Sequence, residues 1–202
     1  MVGKETFDIW YEKVNQSERA ELDAIKDDPE EIKDRFAAPL AFGTAGMRGV
    51  VGVGTYRMNS YTVARATAGL AEFVVSLGQK AMDRGIVISY DTRRFSLEFA
   101  KEVACVLSAY KIKSFIFENV HPVPMCSYAI RHLGAVAGVM ITASHNPKEY
   151  NGYKVYGEDG AQMSPEDTAV VVGFIDRITD YFSVRKDEVK FGESIKGLDN
   201  VR

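Results

Sequence analysis

Ala135-Val136-Ala137-Gly138-Val139-Met140-Ile141-Thr142-Ala143-Ser144-His145-Asn146-Pro147-Lys148-Glu149-Tyr150-Asn151-Gly152-Tyr153-Lys154-Val155-Tyr156 is the stretch on which the reading of this 202-residue chain turns. Its opening run, residues 135–141, is short, apolar and rich in branched side chains, and so predicts a buried strand. Pro147 stops pairing, and the Asn151-Gly152 pair signals a tight turn before a second extended piece, residues 152–156. A hairpin-like return of this kind brings Ser144 and Lys154 to one mouth. Ser144, at the mouth of a buried strand with His145 and Asn146 beside it, is a nucleophile candidate.

Working back from that stretch, the same grammar repeats. A helix is predicted over about 125–133, after the punctuation of Pro122 and Pro124. Before it, Ser114-Phe115-Ile116-Phe117 reads as a strand. Phe99, Val103, Val106, Leu107 and Tyr110 then share one helical face, with Ser96 as the predicted cap and Glu98 in the first turn. Ile86-Val87-Ile88-Ser89-Tyr90 is a further strand. Residues 60–78 predict a helix capped by Asn59 or Ser60, with Val63, Thr67, Leu70, Val74 and Leu77 on its face and Gly78 at its end. This β-α-β-α-β order with short links predicts an α/β fold, a mostly parallel, mixed sheet between helices. Ligands of such sheets bind beyond the carboxyl ends of the strands. Asp91, Arg93 and Ser144 all fall at such ends.

Upstream lies Leu40-Ala41-Phe42-Gly43-Thr44-Ala45-Gly46-Met47-Arg48-Gly49-Val50-Val51-Gly52. Four glycines in so short a span mean either a flexible link or a backbone that approaches something closely, and Arg48 is its one charge. Residues 5 to about 27 read as helical, with Phe7, Trp10 and Val14 on one face, Leu22 and Ile25 on another, and Ser17 as a candidate internal cap. Pro29 opens a second short helix over 29–38. Downstream, Ser164-Pro165-Glu166-Asp167 starts a helix whose buried face carries Val171, Phe174, Ile175, Ile178 and Phe182. The organisation expected is a helical extension at 1–39, a main domain at 40–190 and a linker at 191–202.

Composition narrows the function. A net charge of −3 and no basic block leave no electrostatic footprint for nucleic acid. No apolar stretch is long enough to span a bilayer, and the mixed, acidic start is no signal peptide. Cys105 and Cys126 have no metal-ligand spacing and are expected as reduced core residues of a cytoplasmic protein.

Three chemistries fit the Ser144 loop. One is phosphoryl transfer through a phosphoserine: a group carrying roughly −1.5 to −2 charges requires cations around it, and Arg48, Arg93 and Lys154 are available. Lys154 or His145 then serves as general acid or base. A second is serine hydrolysis, although a histidine adjacent to the serine is not triad geometry and no Gly-x-Ser-x-Gly elbow is present. The third is a plain polar turn.

Thr142-Ala143-Ser144-His145-Asn146-Pro147, followed by Tyr150-Asn151-Gly152-Tyr153-Lys154, resembles the active-site serine loop of the α-D-phosphohexomutases. Phe42-Gly43-Thr44-Ala45-Gly46-Met47-Arg48-Gly49 resembles that family's N-terminal glycine-arginine loop, and Tyr90-Asp91-Thr92-Arg93 its next strand-end motif. The resemblance implies a phosphoserine at Ser144, one of whose phosphate oxygens is a magnesium ligand. It implies Arg48 and Lys154 flanking the transferring group, Lys154 as acid/base, His145 and Asn146 shaping the loop, and phosphate contacts from Thr44 and Arg93. The reaction implied moves phosphate between the 1- and 6-positions of a hexose phosphate through glucose 1,6-bisphosphate, on the phosphoglucomutase branch that also holds phosphopentomutases. That family has four domains. The aspartate-rich magnesium loop of the second, the sugar loop of the third and the phosphate loop of the fourth are not found here. The expectation is therefore a first domain whose partners are domains II–IV, with a bared surface open to self-association and no full turnover alone.

Overall fold

The computed structural model describes residues 2–44 and 46–189. Five strands make one sheet: β1 (Gly46–Val50), β2 (Ile86–Tyr90), β3 (Ser114–Ile116), β4 (Ala137–Ile141) and β5 (Tyr150–Tyr156). They lie in the order β1-β5-β4-β2-β3. β2 pairs in parallel with β3 and β4, whereas β5 runs antiparallel to both β4 and β1. The sheet is thus the mixed one expected. β2 and β4 are buried along their whole length, which is why they read as unbroken apolar runs rather than alternating ones.

The alternation of side chains sorts the helices into layers. Ile86, Ile88, Val139, Ile141, Tyr153, Val155 and Met47 face the large core formed with α4 (Ser60–Ser76), α6 (Ser96–Ala109) and α8 (Pro165–Arg177). Val87, Met140 and Tyr156 face the other way, under α7 (Val123–Leu133). A short helix α5 (Gln79–Arg84), not anticipated from sequence, follows α4. Each large aliphatic side chain sealed in these layers contributes roughly 1.5–3 kcal/mol.

The N-terminal helices α1 (Lys4–Lys13), α2 (Gln16–Asp23) and α3 (Pro29–Phe36) pack with Val53 and Tyr181 into a core of their own. Trp10 is its hub, with ring centroids 5.2 Å from Tyr61, 5.4 Å from Tyr181 and 5.3 Å from Phe182. The extension is thereby joined to the main fold by packing on both α4 and the segment after α8. The linker expected at 191–202 lies outside the described residues, as does the end of the domain expected at 190.

Several local expectations are corrected. Asn15, not Ser17, caps α2, through a reciprocal capping box with Glu18. Ser96 is the first residue of α6 rather than its cap; Phe95 holds the cap position in a left-handed conformation, and the Ser96 hydroxyl turns to Asp91 instead. Asn151-Gly152 is not a turn but lies inside β5, opposite Arg48-Gly49 on β1. The chain reverses over residues 142–149. Within the glycine-rich stretch, Gly46–Val50 forms an edge strand.

Candidate active site

The reversal between β4 and β5 sits at the carboxyl end of β4, where open sheets of this kind place their ligands. Ser144 is at its tip, exposed, with a left-handed backbone (φ 57). That conformation is uncommon for a residue bearing a Cβ and is held only where the surroundings fix it. Both backbone groups of Ser144 are in fact taken by side chains. Its N–H donates to Thr142 Oγ1 at 3.0 Å, and its carbonyl accepts from Arg93 Nη2 at 2.9 Å. The rest of the reversal closes on itself through Asn146 N–H to the Ala143 carbonyl and Tyr150 N–H to the Pro147 carbonyl.

Arg93 reaches the loop from the turn after β2. Its Nη2 also donates to the Asn146 carbonyl at 2.7 Å, and its Nη1 to the carbonyls of Pro147 at 2.8 Å and Tyr150 at 3.0 Å. Nε faces Asp91 Oδ2 at 3.6 Å. A guanidinium has five N–H donors. All are directed at the loop or at Asp91, so none points outward to a phosphate. Asp91 Oδ1 accepts from the Arg93 N–H and from Ser96 Oγ, and Ser96 Oγ accepts from the fully buried Asn151 on β5. The sequence points Ser96 to a helix cap and Asn151 to a turn rather than to the site, since a serine before a helix and an Asn-Gly pair have commoner local uses.

Arg48 comes from the antiparallel side. Gly152 is its partner across β1 and β5, and Lys154 pairs with Gly46 one step along, so Arg48 and Lys154 are diagonal neighbours on one face. Arg48 Nη1 donates to Asn146 Oδ1 at 2.8 Å, which brings its exposed guanidinium against the serine loop. Lys154 is half-buried and has no hydrogen bond or ion pair among the described residues. Gly152 keeps the floor between the two cations bare: a Cβ there would lie 2.6 Å from the Thr142 carbonyl oxygen and 3.5 Å from Arg48 Cβ. An exposed hydroxyl with a guanidinium alongside and an ammonium one row below is an arrangement for an anionic group.

His145 is exposed, its Nδ1 3.4 Å from Ser144 Oγ. No carboxylate orients it among the described residues, so the structure assembles no triad. The other histidines are engaged elsewhere, His121 against Phe117 and His132 against Tyr128. Thr44 is tied to α8, where its carbonyl accepts from Thr168 Oγ1, and no hydrogen bond among the described residues joins it to the serine loop. A small cleft between β1, α4 and α8, lined by Phe42, Met47, Arg65 and Ile175, opens on the opposite face from Arg48. Cys126 is buried and Cys105 half-buried, and both are free thiols; burial pushes the Cys126 thiol up to about 12.

Among the described residues no cluster of three or more His, Cys, Asp or Glu side chains could hold a metal ion, and no helix is long and apolar enough to cross a membrane. Magnesium takes a near-octahedral shell of oxygens. The described residues do not make such a cage.

Comparison with known proteins adds a consistent picture. The sequence model of the family described as phosphoglucomutase/phosphomannomutase, alpha/beta/alpha domain I, matches residues 39–182. A phosphoglucomutase of Staphylococcus epidermidis is 46% identical over 149 residues, covering 74% of this chain and 27% of that protein. A phosphoglucomutase of Staphylococcus aureus is 39% identical over 173 residues, covering 86% of this chain and 31% of that protein. The chain therefore spans less than a third of the length of these relatives. Among solved structures, a putative phosphomannomutase from Thermus thermophilus aligns with a TM-score of 0.65 at 27% identity, over 76% of this chain and 33% of that one. The phosphoglucomutase pp63/parafusin from Paramecium, in its open form, aligns with a TM-score of 0.60 at 18% identity, over 79% of this chain and 28% of that one, which supports the fold alone.

Proposed function

The chain belongs to the phosphoglucomutase/phosphomannomutase family, as its alpha/beta/alpha domain I, and on that premise we propose that Ser144 is the phosphoryl carrier of a hexose phosphate mutase. The observation that carries the reading is the exposed, left-handed Ser144 with Arg48 hydrogen-bonded to the same loop. In the first step proposed, phospho-Ser144 gives its phosphoryl group to the free hydroxyl of the sugar phosphate: the sugar O–P bond forms as Ser144 Oγ–P breaks, and the hydroxyl proton passes to a base. The bisphosphorylated sugar then reorients and returns the phosphoryl group at its other position: Ser144 Oγ–P forms again as that sugar O–P bond breaks, and the departing sugar oxygen takes the proton. In this proposal Arg48 stabilises the charge on the transferring group and Lys154 moves the proton; that the two are diagonal neighbours on one face of β1 and β5 supports it. His145 and Asn146 shape the loop, Asn146 by receiving Arg48.

Magnesium and glucose 1,6-bisphosphate belong to this proposal. When bound, the metal supplies charge neutralisation on the phosphoryl oxygens. The described residues offer it only the Ser144 phosphoryl group, so its remaining ligands are proposed to come from outside them, as are the groups that read the sugar. On the same ground the chain alone is proposed to load phosphate but not to complete turnover, and the remaining domains of a parent protein to be its partners. Glucose 1-phosphate and 6-phosphate are the substrates favoured by the phosphoglucomutases it resembles. Mannose phosphate is the second reading, supported by the Thermus relative.

Intact mass and phosphopeptide mapping after incubation with glucose 1,6-bisphosphate and magnesium test the reading. Phosphate on Ser144 of the wild-type chain and none on Ser144→Ala is the expected result. Phosphate on another residue, or equal incorporation in both, overturns it.

A further inference from the structure

Ser144 is held by side chains rather than by strand pairing. Its N–H meets Thr142 Oγ1, its carbonyl meets Arg93, and three more carbonyls of the same loop converge on that guanidinium. The guanidinium is itself oriented from behind. Asp91 faces Nε, and Asp91 is fixed by Ser96, which Asn151 on β5 holds in turn. Arg93 and Asp91 are partly buried, and the groups behind and beside them are sealed: Thr142 is 4% exposed, Ser96 1% and Asn151 0%. A buried, fully satisfied network of this kind specifies one conformation, whereas a half-satisfied one does not. Beyond the buried Ala143, residues 144–149 are exposed or half-buried. Segments of that description open locally at low free energy.

We infer that Arg93 and Thr142 are positioning residues that hold Ser144 in its left-handed conformation, Arg93 acting on the loop's backbone and not as a ligand of phosphate. The inference rests on the mutase reading for its purpose, but not for its test. Removing Arg93 releases four carbonyls at once; removing the Thr142 hydroxyl releases one N–H. The Ser144 hydroxyl then loses its fixed direction relative to Arg48, while Arg48 and Lys154 stay where β1 and β5 place them.

Backbone amide hydrogen exchange on the full 202-residue chain reads this directly. Arg93→Ala is expected to speed exchange across residues 143–150 by on the order of tenfold or more, with strands β2 and β4 unchanged. Low-millimolar guanidinium ion is expected to restore protection by filling the vacated site. Thr142→Val is expected to lose protection at Ser144, and Thr142→Ser, which keeps the hydroxyl, to retain it. If Arg93→Ala does not fold, Arg93→Lys serves: one ammonium cannot serve four carbonyls, so partial loss of protection is expected there too. Wild-type exchange in the loop of Arg93→Ala, or of Arg93→Lys where only that variant folds, overturns the inference. So does loss of protection that guanidinium ion leaves unchanged in Arg93→Ala, since a merely structural defect is not repaired by it. Failure of the wild-type chain to take phosphate on Ser144, with exchange as stated, counts against the mutase reading and leaves the clamp standing.

Discussion

The two halves of the sheet are built by different means. On one side, β2, β3 and β4 are parallel, joined by helices, and packed with branched side chains on both faces. On the other, β1 and β5 are antiparallel, and β1 has glycine at Gly46 and Gly49 and faces Gly152. The parallel half holds the serine loop at its carboxyl edge. The antiparallel half delivers the two cations. The first tolerates changes in side-chain fit; the second depends on backbones lying where a Cβ would otherwise stand.

The largest expected effect separates the halves by chemistry. Ser144→Ala removes the hydroxyl and is expected to abolish phosphate incorporation entirely. Arg48→Ala removes the charge stabilisation proposed for it and is expected to slow incorporation by on the order of a hundredfold. Neither side chain is buried, so thermal midpoints should stay within a degree or two of wild type. Rates from quenched intact-mass time courses, with melting curves alongside, check both. A marked loss of stability in Ser144→Ala would mean that the hydroxyl supports the loop rather than receives a phosphoryl group.

Next comes a single added methyl on each side. At Gly46 (φ 143), a Cβ would lie 2.0 Å from the Tyr153 carbonyl oxygen and 2.9 Å from Lys154 Cα, all backbone of β5. Gly46→Ala is therefore expected to unpair β1 locally, at about 3 kcal/mol or more. At Gly138 on β4, the Cβ would meet Ile130 Cδ1 at 2.3 Å and Cγ1 at 2.7 Å, which are side-chain atoms. Ile130 can turn in part, so Gly138→Ala is expected at about 1–3 kcal/mol. Urea denaturation of the two variants ranks them. Gly138→Ala proving the more damaging would break the distinction drawn between backbone-limited and side-chain-limited packing.

The same contrast explains what the sequence disclosed. The parallel half was legible because period and length agree: short apolar runs for β2 and β4, helical faces in α4 and α6, proline and glycine between them. β1 was not, since glycines carry no strand preference and pack nothing; its pairing is decided by β5, far along the chain. Asn151-Gly152 has a strong local turn preference, yet Asn151 is spent in the interior on Arg94 and Ser96, and the reversal falls a few residues earlier. In the site, the motif residues Ser144, Arg48 and Asn146 were found together. The direction of Arg93 is not legible in sequence, because a list of residues does not say whether a guanidinium faces out to an anion or back to four carbonyls. The motif implies a phosphate contact from Thr44, while the one hydrogen bond the described residues give it is from Thr168 Oγ1 on α8 to its carbonyl.

The smallest expected effect tests both halves by pH. Cys126 lies under the parallel half beside Val87 and Met140, and Tyr153 lies in the antiparallel half between Met47 and Ile141. Burial raises both groups, the thiol from 9.0 to about 12 and the phenol above its ordinary 10.0. A group raised in the folded state stabilises the fold below its unfolded pKa, and that stability drains away as pH climbs toward the folded one. For Cys126 the loss begins near 9.0; for Tyr153 it begins near 10.0. Cys105 is raised by burial too and shares the thiol window, so Cys105→Ser is the paired variant. Cys126→Ala should flatten the fall in urea midpoint on the lower part of this alkaline limb. Tyr153→Phe should leave that part alone and flatten only the upper part. Slopes, not absolute midpoints, carry the comparison, because each variant also leaves a small packing defect. A Cys126→Ala slope parallel to wild type between the two onsets would show that the thiol is not kept neutral by the core. The parallel half would then be less tightly sealed than its fully buried strands imply.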